Sequence, residues 1–129
     1  MKKLLLLLFS ILISLTAYGE WFHMVDDLQG NSYYIESDTI RENGGHVYYW
    51  TLADYIDPST TEGMYSSKMY FQGDCAVGRV KSLTFIAYKK HMGIGSEMVS
   101  DSSATNWKYP APDTAEGMYL EVVCDYIKP

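Results

Sequence analysis

Only two cysteines, Cys75 and Cys124, follow the first 19 residues of this chain, and the character of those residues decides what the cysteines do. Lys2 and Lys3 precede an apolar run from Leu4 to Leu8, continued through Phe9, Ile11, Leu12, Ile13 and Leu15 and closed by Ala17-Tyr18-Gly19. Charged start, apolar middle and small-residue exit mark a secretory signal peptide, cleaved after Gly19 to leave Glu20 as the new N-terminus. A spanning helix needs about 20 consecutive apolar residues, more than this run supplies, so no transmembrane segment is expected after cleavage. An exported chain meets an oxidising environment in which a single pair of cysteines joins. One disulfide is therefore expected, and closing a loop of about 50 residues stabilises a fold by roughly 4 kcal/mol on the chain-entropy model.

Removing 19 of 129 residues leaves 110, enough for one domain with one core over residues 20–129. Neither CxxC nor HxxxH occurs, and His23, His46 and His91 lie far apart in sequence, so no metal or other cofactor is expected. Of the 10 basic residues two belong to the leader, whereas all 16 acidic residues follow it, so the mature chain carries a formal charge of about −8. A nucleic-acid partner requires the opposite balance. The excess that matters is aromatic: 12 tyrosines and three tryptophans, residues that favour strands and supply contact area at binding surfaces.

Turn signals divide the mature chain into short extended segments. Trp21 to Val25 ends at Asp26-Asp27, Gln29-Gly30-Asn31 supplies a turn, and Ser32 to Glu36 alternates, so a hairpin is expected. Glu42-Asn43-Gly44-Gly45 is a second turn, because Asn and Gly tolerate positive φ. His46 to Tyr55 follows as the best strand, with Trp50 and Leu52 opposite Val47, Tyr49 and Ala53. In Tyr65 to Gln72, Tyr65, Met69 and Phe71 share one face against Ser66, Lys68 and Gln72. In Arg79 to Tyr88, alternation puts Leu83, Phe85 and Ala87 on one face and Val80, Ile86 and Tyr88 on the other. Strands apolar on both faces sit centrally.

Near the C-terminus Pro110-Ala111-Pro112 precedes Asp113, which reads as an N-cap with Glu116 at the third helical position. Ala115, Met118, Tyr119 and Val122 then form one helical stripe. The expected class is α+β: a small antiparallel sheet of about six strands, one helix of about three turns packed on it, and one disulfide. The opposite sheet face is covered either by curling of the sheet or by a second copy of the chain, which would make a homodimer.

Two surfaces stand out for binding. Arg79, Lys81, Lys89, Lys90 and His91 gather within one strand and its following turn, a patch suited to acidic partners such as sulfated glycans or acidic protein segments, though lysines at strand ends also serve to block edge pairing. Tyr48, Tyr49, Trp50, Tyr55 and Tyr70 are candidates for the face the helix leaves bare.

Catalytic signatures are missing. GxSxG does not occur, and Gly93-Ile94-Gly95-Ser96-Glu97-Met98 lacks the third glycine of a dinucleotide fingerprint and precedes an edge strand rather than a helix. Asp26-Asp27 and Asp54 with Asp57 are carboxylate pairs, but in turns such groups ordinarily cap or face water. No enzymatic activity is expected.

The order and spacing of several segments together resemble the bacterial surface-adhesin protein E domain family. They are Tyr34-Ile35-Glu36 running into Asp38-Thr39-Ile40-Arg41, Val47 to Tyr55, Ser66-Ser67-Lys68, and Asp74-Cys75 with Arg79. Met92-Gly93-Ile94-Gly95, Ser100-Asp101-Ser102-Ser103, Trp107, Pro110 and Val123-Cys124 complete the set, so that the resemblance covers Trp21 to Cys124. It implies an antiparallel sheet with a C-terminal helix, a Cys75–Cys124 bridge, export to the periplasm or outer surface of a Gram-negative bacterium, and adhesion to host extracellular-matrix proteins. No cysteine for lipid attachment follows the leader. The expected function is an exported binding module, with a periplasmic structural or stress-related domain as the alternative.

Overall fold

The computed structural model describes residues 20–58 and 62–129, so the expected signal peptide lies outside the described residues. Among the described residues, seven strands form one antiparallel sheet: β1 (Phe22–Asp26), β2 (Ser32–Ile35), β3 (Arg41–Asn43), β4 (His46–Asp54), β5 (Ser66–Asp74), β6 (Arg79–Tyr88) and β7 (Glu97–Asp101), followed by helix α1 (Ala115–Tyr126). Their order is β1-β2-β4-β5-β6-β7, with β3 also on β4. β2 pairs with the C-terminal half of β4 and β3 with its N-terminal half, so both line one edge of β4, divided by a 3-10 turn at Ser37–Thr39. The α+β class, the single C-terminal helix and the bridge between Cys75 and Cys124 are as expected, and the short β3 is the strand that the sequence reading did not single out.

One sheet face carries the core. Val47 and Tyr49 of β4, Phe71 of β5 and Val80 of β6 meet Tyr119, Leu120 and Val123 of α1, joined by Ile35 and Ile40. The sequence stripe Ala115, Met118, Tyr119 and Val122 is corrected by this packing: Tyr119, Leu120 and Val123 are buried, whereas Val122 is 41% exposed. The helix is turned by about one residue's rotation from the expected stripe, because Cys124 must reach Cys75 just past the end of β5.

Its start also differs from expectation. Thr114, not Asp113, is the N-cap: its Oγ1 accepts the Gly117 N–H at 3.1 Å and donates to the Ala111 carbonyl at 2.6 Å. This double use ties the Pro110-Ala111-Pro112 segment against the first turn. The approach is so close that a Cβ at Gly117 would lie 2.0 Å from the Ala111 carbonyl oxygen.

A second correction concerns β6. Tyr70 pairs with Thr84 but Phe71 pairs with Ser82, leaving Leu83 as an extra residue on β6. Such a bulge reverses which side successive residues face. Val80 therefore points to α1, while Ile86 and Tyr88, which simple alternation groups with it, point to the opposite face, where Ile86 stands opposite Lys68 and Tyr88 opposite Ser66.

Candidate functional site

The face away from α1 is built from alternate residues of the central strands. Tyr48 stands opposite Gln72 and Trp50 opposite Tyr70 across β4 and β5, and cross-strand partners project to the same side. The Tyr70 ring centroid lies 4.9 Å from that of Trp50 and 6.2 Å from that of Tyr48, so these candidates form one continuous half-buried aromatic surface. Tyr49 and Tyr55 do not belong to it. Tyr49 is 1% exposed in the core, stacked on Phe71 at 5.6 Å, and the Tyr55 hydroxyl lies 2.8 Å from Ser67 Oγ on the helix side.

The aromatic surface continues toward the start of β6 into a cationic cluster. Residues 102–109 run beside β6, held by the Thr105 N–H to Ser82 and by reciprocal bonds between Val80 and Lys108. They bring Trp107 over the sheet, where its ring centroid lies 4.2 Å from Arg79 Cζ and 4.7 Å from Lys81 Nζ. Cations within about 6 Å of an indole face are attracted by its quadrupole. His46 packs edge-on to the same ring at 5.4 Å. Beneath them Asp74 accepts a hydrogen bond from Arg79 Nε at 3.1 Å and lies 3.5 Å from His46. Burial pushes the Asp74 carboxyl up, but the Arg79 hydrogen bond, the Val77 backbone N–H and the charges of His46 and Arg79 outweigh it and hold it below the usual carboxylate range.

Lys89, Lys90 and His91 do not join this cluster. They follow the far end of β6, which at the rise of a strand is roughly 30 Å away, and the basic residues adjacent in sequence become two separate groups. The His91 ring nitrogen is 3.0 Å from Asp54 Oδ1, which also accepts the Met92 N–H, and the Lys90 carbonyl accepts from Ser66 Oγ. These contacts fix the β6–β7 connection.

Between the two ends lies a cleft of about 370 Å³ lined by Trp21, Glu36, Thr39, Trp50, Lys68, Ile86 and Tyr88. Lys68 Nζ sits 5.7 Å from the Trp21 ring and 5.2 Å from the Tyr88 ring. Trp21, Glu36, Lys68 and Trp107 are site residues that sequence patterning missed. Each had an ordinary place as a strand or loop residue, and only the register of five strands brings them to one side.

A larger cavity of about 430 Å³ lies on the helix side, lined among others by Tyr33, Tyr55, Met69, Phe71, Glu116 and Tyr119. Two of its phenols are held within the fold: Tyr33 donates to Asp27 and Tyr119 to the Tyr34 carbonyl. Burial, followed by the Asp27 contact, pushes the Tyr33 phenol up to about 12.

The Asp26-Asp27 pair holds the turn that follows β1. Asp27 receives the N–H groups of Gln29 and Asn31, and Asp26 the Ser32 hydroxyl. No cluster of three metal-ligating side chains occurs among the described residues, and no described helix is long and apolar enough to cross a membrane.

The fold is similar to Haemophilus influenzae protein E in crystal form II, with a TM-score of 0.63 at 17% identity over 82% of this chain and 87% of that one. A second structure of H. influenzae protein E gives 0.61 at 17% identity, covering 82% and 84%. Protein E from non-typeable H. influenzae gives 0.54 at 18% identity, covering 83% and 74%. Such likeness establishes a shared fold, and no curated protein matches the sequence significantly. The sequence model of Surface-adhesin protein E matches residues 21–125, which takes in every described strand, Trp107 and both bridged cysteines. This chain belongs to the Surface-adhesin protein E family.

Proposed function

We propose that the protein is an exported, non-enzymatic adhesin that holds host extracellular-matrix proteins through the sheet face opposite α1. The carrying observation is the unbroken run of rings from Trp50 and Tyr70 through Tyr48, extended by Trp107 with Arg79 and Lys81 stacked on it. Aromatic and arginine side chains at the centre of a contact patch are the residue types that dominate protein–protein affinity. The local cations would attract acidic protein segments although the chain as a whole is acidic, and that attraction would fall as salt rises. A signal peptide cleaved after Gly19 would direct the domain of residues 20–129 across the inner membrane. Membership of an adhesin family supports the same reading.

The test is capture of the protein on immobilised matrix proteins at two salt concentrations. Tyr70→Ala combined with Arg79→Gln should weaken capture by roughly thirtyfold, a loss of about 1 kcal/mol from each of two contributing interface side chains, while circular dichroism stays native. Unchanged capture by that variant would remove this face from the interaction. A dimeric mass that reverts to monomer in the same variant, without matrix binding by either form, would instead make the face a contact between two copies.

A further inference from the structure

The cleft beside Trp50 has a composition that a purely structural pocket does not need. Trp21 arches from the start of β1 across the sheet, and Trp50, Ile86 and Tyr88 complete an apolar surface. Into this setting projects the Lys68 ammonium. No carboxylate forms an ion pair with it among the described residues. Its stem is lodged against the backbone: a Cβ at Gly93 would lie 2.6 Å from Lys68 Cε. Gly93 has φ +65° and leaves the space in which that stem runs on its way to the Trp21 and Tyr88 rings.

We infer that this cleft binds a carboxylate-bearing sugar residue of a glycan, with Lys68 as the anion anchor. The inference rests on the reading of this face as the adhesive surface and names a ligand class for one part of it. A sugar ring presents an apolar C–H face that packs on indole, and the two tryptophans supply such walls. A single ammonium matches a single carboxylate through a charge-assisted hydrogen bond. Glu36 and the Thr39 hydroxyl, which itself donates to the Glu36 carbonyl, line the remaining side and can accept or share sugar hydroxyl hydrogens. The Glu36 carboxylate at the same time disfavours a densely sulfated chain, and a wholly apolar ligand would strip water from Lys68 without replacing it. The volume of about 370 Å³ falls at the lower end of small-ligand sites, room for one ring with its exocyclic groups.

Three tryptophans make the test direct, because each gives a separate indole N–H signal in an NMR titration. Sialyllactose, or a hyaluronan tetrasaccharide if the acidic unit is a uronic acid, should shift the signals of Trp21 and Trp50 and leave Trp107 in place. Lactose should shift none of them. Lys68→Met keeps the apolar stem and should weaken the response roughly tenfold or more, the loss expected for one charge-assisted bond, whereas Lys68→Arg should retain it. The inference fails if neither acidic sugar moves Trp21 and Trp50, if lactose acts equally, or if Lys68→Met titrates like the parent. It also fails if only a sulfated heparin fragment responds and Trp107 is the signal that moves. Matrix capture lost in the Tyr70 and Arg79 variant with no sugar response would sink the cleft but keep the face, and a sugar response without matrix capture would do the reverse.

Discussion

The hydroxyl of Tyr119, in the first half of α1, donates to the backbone carbonyl of Tyr34 at 2.8 Å and lies 3.3 Å from that of Leu52. It joins α1 to neighbouring strands β2 and β4 at the level where Tyr34 and Leu52 pair. Removing the hydroxyl while keeping the ring, Tyr119→Phe, should cost about 1 kcal/mol, the net value of a buried hydrogen bond. Urea unfolding should show a lower midpoint at an unchanged slope. A midpoint equal to the parent's would mean that water serves these carbonyls as well as the phenol does.

Gly117 sets two effects against each other. Alanine in place of glycine inside a helix ordinarily stabilises by up to about 1 kcal/mol. Here the new Cβ would meet the Ala111 carbonyl oxygen at 2.0 Å, and backbone on one side of the contact leaves little room to yield. Overpacking of about 1–3 kcal/mol should win, and Gly117→Ala should melt several degrees lower. A higher melting temperature would show that the proline segment moves away without cost.

The Cys75–Cys124 bridge closes a separation of 49 residues and fastens α1 to the end of β5. Loss of both sulfurs in a double alanine variant should destabilise by roughly 4 kcal/mol on the loop-entropy estimate. The matching experiment is calorimetry with and without reductant, where the parent should fall to the variant's transition and the variant should not respond.

Acid and alkali should unfold the protein for different reasons. Asp74 is held low by Arg79, Val77 and His46 against its burial, Asp26 by Ser32 and His23, and Asp101 by Ser103. Groups whose folded pKa is depressed contribute stability above the unfolded value of about 4, and that contribution is lost as pH falls through the folded values. Tyr33 behaves oppositely: with its phenol pushed up to about 12 by burial and by Asp27, its contribution is complete below about pH 10 and disappears as pH rises toward 12. Melting temperature measured against pH should decline on both sides, and Tyr33→Phe should flatten the alkaline limb. An identical alkaline limb in that variant would assign the loss to another tyrosine.

Much of this architecture could be read before any coordinates. The hairpin at Gln29-Gly30-Asn31, the turn at Asn43-Gly44-Gly45 and the facing of Val47 and Tyr49 against Trp50 and Leu52 are local matters of turn chemistry and period-two alternation, and they hold. What failed depended on partners. Alternation along Arg79 to Tyr88 cannot reveal a bulge that exists only relative to β5, and the choice of Thr114 over Asp113 as cap depends on where Ala111 lies. The aromatic trio Tyr48, Trp50 and Tyr70 was legible because all three belong to two strong strands. Trp107, Trp21 and Lys68 come from separate segments, and the sequence gives no reason to associate them until the strands are in register.

The extra residue at Leu83 has an outcome beyond local geometry. It acts as a phase change in the middle of β6, so that the strand offers Val80 and Ser82 to the interior and then Thr84, Ile86 and Tyr88 to the outer side. Deleting that residue would set Thr84 directly after Ser82 in an unchanged pairing, removing the bulge while Ile86 and Tyr88 stayed outward as one wall of the cleft and Arg79 and Trp107 kept their stacking. The extra residue is thus what lets a strand with apolar side chains at positions of like parity send Val80 to the core and Ile86 and Tyr88 to the cleft.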